Sequence, residues 1–269
     1  MIVAIFTCEK HLAISKLAIK YYRRFLSFDL TVVGPKCIAN HFKDSGCLFI
    51  CDEDIYGYEI LKSISDQFDT GPNWYLQQFL KIAFYIESRE DVLIVDGDTI
   101  ISRSIFENVI DHNVAYYTAE RINQYNKLLV NSGTVLSPSD KSYICNFGFF
   151  EKSNKHFYSN NIYQFIDGLV QLVIENQKQE KKRYSSMDFS EYQINGQISE
   201  DKRSAYIKLK MFRRADLLIR NSLRLENLTA SKLDEFFQGY DCISYESDHQ
   251  TSYVKSIVAE LCLLLRRSW

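Results

Sequence analysis

Val92-Leu93-Ile94-Val95-Asp96-Gly97-Asp98 is an unbroken apolar run that stops in two acids. Four aliphatic residues with no polar position between them read as a strand buried on both faces, as in parallel sheets. Ile2–Phe6, Leu30–Val33 and Cys47–Cys51 are earlier runs of the same kind, ended by Thr7, Gly34-Pro35 and Asp52-Glu53-Asp54. Between these runs, 11–25 and 74–87 carry apolar residues at helical spacing, with Pro72 near the start of the second. After the acids come a short helix over 104–110 and a strand over 114–118. Strand alternating with helix predicts an α/β fold: a mixed, mainly parallel central sheet flanked by helices.

The second half reads differently. Residues 162–177 are amphipathic, 178–183 are a charge run, and 189–198 and 232–237 look helical. Residues 241–244 look like a strand. Tyr253–Leu265 is an apolar helix ending in Arg266-Arg267, which gives the chain a helical C-terminal part. No Ser/Gly/Pro linker separates the halves, so 1–269 is expected to be one domain. Within it we expect a ligand-binding half over 1–118, a second half over 119–250 and a terminal helix over 251–269.

Composition narrows the function classes. The 269 residues are 46% hydrophobic and 25% charged, with 10 Gly and 3 Pro, so collagen-like and low-complexity disordered chains are excluded. A net charge of −2 with only small basic clusters gives no nucleic-acid footprint. Seven cysteines with no C-x-x-C pair read as reduced, mostly buried thiols of a cytoplasmic protein. The N-terminus lacks a basic region before its short apolar run, and no stretch has the apolar length of a spanning helix.

Four constellations carry chemistry. Asp96 and Asp98 sit at the carboxyl end of a strand, where open α/β sheets bind ligands. Alternation along a strand would turn both carboxylates one way, with Gly97 letting a ligand approach. Hard oxygens of this kind suit Mg²⁺ or Mn²⁺ carrying a diphosphate, and a solvated acidic turn is the plain alternative. Trp74, Gln77, Gln78 and Lys81 fall at i, i+3, i+4 and i+7, a stripe suited to stacking a ring and holding a phosphate or sugar hydroxyls, or simply a wet helix face. Glu191, in a first helical turn after Ser190, can serve as a general base or only stabilise its own helix. His249, in Tyr245-Glu246-Ser247-Asp248-His249 beyond a strand end, is a candidate third metal ligand or a surface histidine. Asn146-Phe147-Gly148-Phe149-Phe150 suggests no role. The loops of P-loop enzymes, serine hydrolases, zinc proteases and dinucleotide binders are absent.

In this order the residues resemble a GT-A (Rossmann-like) glycosyltransferase. More narrowly, they are similar to a bacterial and viral domain-of-unknown-function family of nucleotide-diphospho-sugar transferases. The shared pattern is a first strand ending in Thr7, W-Y-x-Q-Q-x-x-K at 74–81, D-x-D at 96–98 and F-S-E-Y at 189–192. It covers about 1–200 and, more weakly, 244–249. Gly97 stands where many members have Ala or another small residue, a conservative departure.

The resemblance implies a hexosyltransferase-class enzyme that moves a sugar from a nucleotide-diphosphate sugar to a glycan or lipid-linked glycan hydroxyl, in polysaccharide or glycan synthesis. By it Asp98 would hold Mn²⁺ or Mg²⁺, with His249 completing the set, and Asp96 would hold the metal or the donor ribose. Thr7 would lie near the nucleotide, and Trp74, Gln77, Gln78 and Lys81 would line the donor site. Glu191 would deprotonate the acceptor, giving inversion; without a base there, the course would be retaining. The terminal helix would pack on the core or touch the inner membrane face. The rival readings are a sugar-nucleotide nucleotidyltransferase, disfavoured because Thr7-Cys8-Glu9-Lys10 has no glycine, and a non-catalytic carbohydrate-binding protein of the same fold.

Overall fold

A computed structural model describes residues 1–68, 71–111, 113–118, 139–158, 190–213 and 228–245. Its strands are β1 Ile2–Phe6, β2 Asp29–Gly34, β3 Leu48–Cys51, β4 Val92–Asp96, β5 Thr99–Ile101, β6 Val114–Tyr117, β7 Phe147–Phe150, β8 Ala205–Lys208, β9 Met211–Arg213 and β10 Cys242–Ser244. Its α-helices are α1 Leu12–Tyr22, α2 Tyr58–Ser65, α3 Pro72–Glu87, α4 Arg103–Asp111, α5 Glu191–Ile198 and α6 Ala230–Phe236.

The central sheet has the order β3-β2-β1-β4-β7. The first four strands are parallel and β7 runs antiparallel along β4, so the expected mixed, mainly parallel sheet is what forms. Strand alternation splits its residues between two cores. Val3, Ile5, Val32, Leu93 and Val95 pack with Ile14, Ala18 and Tyr22 of α1 on one face. Ala4, Phe6, Val33 and Ile94 pack with Phe79, Ile82 and Tyr85 of α3 on the other. Both faces are therefore dry, which is why β1 and β4 up to Val95 are apolar.

Several expectations needed correction. Residues 114–118 do form a strand, but β6 pairs with β8 in a separate two-stranded sheet and does not extend the central one. β7 lies in the 146–150 stretch, which suggests no role from sequence; it alternates Phe147 and Phe149 with Gly148 and Phe150 on a sheet edge. β5, β8, β9 and α2 are not among the expected elements; the three strands are no longer than four residues and α2 has eight. The expected helices over 162–177 and 253–265 lie outside the described residues, and the boundaries expected near 118 and 250 border or fall among such residues. Of the cysteines described, Cys51, Cys145 and Cys242 are buried and Cys37 is exposed; none is in a disulfide. Among the described residues no helix is long and apolar enough to cross a membrane.

The outer edge of β7 is closed by side chains. Phe149 O accepts from Asn195 Nδ2 at 2.8 Å and from Arg203 Nη2 at 3.4 Å. Cys145 Sγ points at Tyr116 O, 3.3 Å away on β6. Between these strands lies a cavity of about 40 Å³, lined by Tyr116, Phe147, Tyr192 and Arg203 among others.

Candidate active site

β1 connects to β2 on one side, while the chain from β3 returns to β4 on the other. The topological switch point therefore lies at the carboxyl ends of β1 and β4, which is where open α/β sheets bind ligands. Asp96-Gly97-Asp98 occupies it. Asp96 is the last residue of β4, and its N–H donates to Asn146 O at 2.9 Å. Gly97 N donates to Phe6 O at 2.7 Å, and Ser15 Oγ to Gly97 O at 2.8 Å. Asp98 O accepts from Tyr245 N at 2.8 Å, and Thr99 Oγ1 donates to Asp98 Oδ1 at 2.9 Å. The acid pair thus joins the central sheet to the β5-β10-β9 sheet.

Two readings of this triplet change. The strand ends at Asp96 and the chain turns at Gly97, so alternation does not govern where the Asp98 carboxylate points. Gly97 is small for the protein's own sake: a Cβ there would come within 2.5 Å of Thr7 Cβ and Oγ1 and 2.7 Å of Phe6 O. Ala at this position is therefore not a conservative exchange in this chain.

The helical stripe also needs correction. α3 is packed against the sheet, α2 and α5, and every residue from Gln78 to Tyr85 is buried. Gln78 and Lys81 thus lie inside the protein and do not face an open donor site. Trp74 and Gln77 remain half-buried at its N-terminal end, with the Trp74 ring edge-on to Tyr75. Thr7 is buried too, its Oγ1 2.6 Å from Ser15 Oγ, so its hydroxyl is engaged within the protein.

What α3 delivers to the site is a charge. Lys81 Nζ, fully buried, lies 2.5 Å from Asp96 Oδ1 and 2.7 Å from Glu191 Oε1. Tyr192 OH donates to Asp96 Oδ1 at 2.7 Å, and its ring centroid lies 4.6 Å from the ammonium. With its NH₂ turned toward the carboxylate, Gln78 donates to Glu191 Oε1 at 2.9 Å and also reaches Oε2. Asp96 keeps 23% of its side chain exposed, and the side-chain bonds it accepts among the described residues all fall on Oδ1.

Glu191 cannot meet an acceptor hydroxyl in this arrangement. It has no exposure, and its oxygens are occupied by Lys81 and Gln78. Its expected role as general base is corrected on that ground. Ser190 does precede the helix as its cap residue but makes no side-chain capping bond. Phe189 and His249 lie outside the described residues. Among those described, no group of three or more His, Cys, Asp or Glu can hold a metal.

Burial pushes the Glu191 carboxyl up, Lys81 pulls it back and Asp96 adds to the rise, leaving it at about 7. Burial lowers the Lys81 ammonium, but Asp96 and Glu191 outweigh it and hold the group above its ordinary value. A carboxyl raised on folding favours the native state below its unfolded value, and that stability is lost as pH rises toward 7. Urea unfolding at pH 5 and pH 8 should therefore show Glu191→Gln gaining on wild type by on the order of 1–3 kcal/mol at the higher pH. An unchanged difference between the two proteins would contradict this.

Sequence reasoning missed the hydroxyl of Tyr192 and the contacts of Asn146. Asn146 has a left-handed backbone (φ 59°) opposite Asp96 and donates from Nδ2 to Ser244 Oγ at 2.9 Å. The signal available for Tyr192 was its place beside Glu191 in F-S-E-Y.

The chain matches no known protein-family profile and no curated protein. Solved structures with which it aligns include mouse xyloside xylosyltransferase 1 in its apo form, at 12% identity and a TM-score of 0.47, over 93% of this chain and 99% of that one. The galactosyltransferase LgtC, crystallised with donor and acceptor sugar analogs, aligns at 11% identity and a TM-score of 0.45, over 91% of this chain and 87% of that one. The functional reading rests on the site itself.

Proposed function

We propose that this chain is a glycosyltransferase that uses a nucleotide-diphosphate sugar and Mn²⁺ or Mg²⁺ to glycosylate a glycan hydroxyl. The observation that carries the reading is the acid pair Asp96/Asp98 at the β1/β4 switch point, with Asp96 fixed from behind by Lys81 and Tyr192. Two carboxylates are a fitting donor set, since Mg²⁺ is usually held by one or two carboxylates together with substrate phosphates. Asp98 and Asp96 would hold the ion. When bound, it would supply charge stabilisation to the departing diphosphate.

The burial of Glu191 bears on the stereochemical course. An inverting displacement needs a base at the acceptor, and the residue assigned to it is enclosed. The retaining course, which has no need of that base, is the one we favour. NMR of the product anomer decides between them.

The test of the whole reading is a thermal-shift series with UDP, GDP and CDP, with and without Mn²⁺, followed by donor hydrolysis. One nucleoside diphosphate plus Mn²⁺ should raise Tm by about 5 °C or more at saturation. Asp98→Ala should lose that shift and the metal-dependent hydrolysis together. Full metal-dependent activity in Asp98→Ala would refute the site, and no shift with any nucleotide would favour a non-catalytic protein. Pyrophosphate release from a sugar phosphate and a nucleoside triphosphate would revive the nucleotidyltransferase reading.

A further inference from the structure

A lysine with no exposure and two carboxylate partners is more than charge balance requires, because Asp96 alone would neutralise Lys81. The second carboxylate, Glu191, is fully enclosed and reaches no surface. It accepts from Lys81 Nζ at 2.7 Å, and Gln78 donates to the same carboxylate.

Without Glu191, the ammonium would belong to Asp96, and the pair would present no net charge to the crevice. With it, two carboxylates share one cation, and the cluster carries a net negative charge whose only partly exposed acid is Asp96. Tyr192 and the buried residues of α3 surround Lys81 and Glu191, so water does little to screen the charge on that side of Asp96.

We infer that Glu191 is a positioning residue which, by sharing the Lys81 ammonium, leaves Asp96 with the negative charge that binds a divalent cation at the Asp96–Asp98 pair. This rests on reading the acid pair as a metal–diphosphate site. It assigns Glu191 a task performed through Lys81, without contact with donor or acceptor. It also explains why so much buried polar structure lies behind one strand end: the cluster costs stability and sets the charge of the site.

The experiment is a Mn²⁺ titration at pH 8 in the presence of UDP, GDP or CDP in turn, followed by the electron paramagnetic resonance of free Mn²⁺ against the same nucleotide without protein, with Tm measured on the same samples. Glu191→Gln keeps shape and removes charge. It should weaken Mn²⁺ binding about tenfold, the order a unit charge exerts at this range in a protein interior. Its Tm should equal or exceed that of wild type. Binding equal to wild type would overturn the inference and leave the metal site standing. A wild type that binds no Mn²⁺ with any of UDP, GDP or CDP would overturn the site reading, and the inference with it.

A general base acting on the acceptor would leave Mn²⁺ affinity unchanged, and a purely structural residue would lower Tm along with it. Should Glu191→Gln not fold, Glu191→Asp and Glu191→Asn form a second pair of one size that differ only in charge. The Asp variant should bind Mn²⁺ about tenfold more tightly than the Asn variant, and equal affinities would overturn the inference.

Discussion

Lys81→Met should destabilise the protein by about 3–5 kcal/mol at pH 8. Methionine fills most of the space of the lysine stem, so the cost is electrostatic and not that of a void. What remains is Glu191, fully buried, with its cation gone and only Gln78 to satisfy it. A domain has about 5–15 kcal/mol of total stability, so the loss would be visible as poor expression or a much lower urea midpoint.

The effect should shrink at pH 5, where Glu191 takes up a proton and needs no cation. The double variant Lys81→Met/Glu191→Gln should recover most of the loss at pH 8, because it removes the orphaned charge together with its partner. Urea unfolding of the four proteins at the two pH values measures all of this. A Lys81→Met variant equally stable at both pH values, or a double variant no better than the single, would mean the two groups do not share a buried charge.

Gly97→Ala carries the second large effect. A single methyl must enter a space where Thr7 Cβ and Oγ1 stand at 2.5 Å and the Phe6 carbonyl oxygen at 2.7 Å. The backbone on both sides is held by Gly97 N to Phe6 O and Thr7 N to Val33 O, so neither strand end can drift apart cheaply. Overpacking of this kind costs about 1–3 kcal/mol and sometimes more. Since the displaced turn carries Asp96 and Asp98, donor hydrolysis should fall more than stability does. Thr7→Gly should restore part of both, giving a favourable coupling energy of about 0.5–3 kcal/mol in a double-mutant cycle. Strict additivity would show that the contact is relieved in some other way.

Legibility in the sequence followed burial. β1, β2 and β4 could be read because both faces are apolar, and Trp74–Glu87 because its apolar residues recur at helical spacing. What escaped was set by neighbours distant in the chain. Gln78 and Lys81 looked like a wet stripe because their polarity is local, whereas the carboxylate that satisfies them, Glu191, is 110 residues away from Lys81. Glu191 looked like a base for the same reason: a carboxylate near a site is visible, but its enclosure is not. Gly97 looked permissive because Thr7, which closes the space above it, follows a different strand, β1. The acid pair was placed correctly at a strand end, although the turn after Asp96 invalidated the alternation argument about its side chains.

α5 carries two duties within eight residues. Its first turn bears Glu191 and Tyr192, which hold Lys81 and Asp96; one turn later, Asn195 covers the Phe149 carbonyl on the outer margin of β7. An uncovered margin of that kind is a template for strand addition by another chain. Protection of that margin and placement of the Lys81–Asp96–Glu191 cluster are therefore joined through one short helix. Selection for soluble variants of this protein would preserve Asn195 for reasons unrelated to chemistry, and would hold Glu191 and Tyr192 in register as a by-product. Conversely, a change that frays α5 should first be noticed as precipitate, before any assay of turnover reports it.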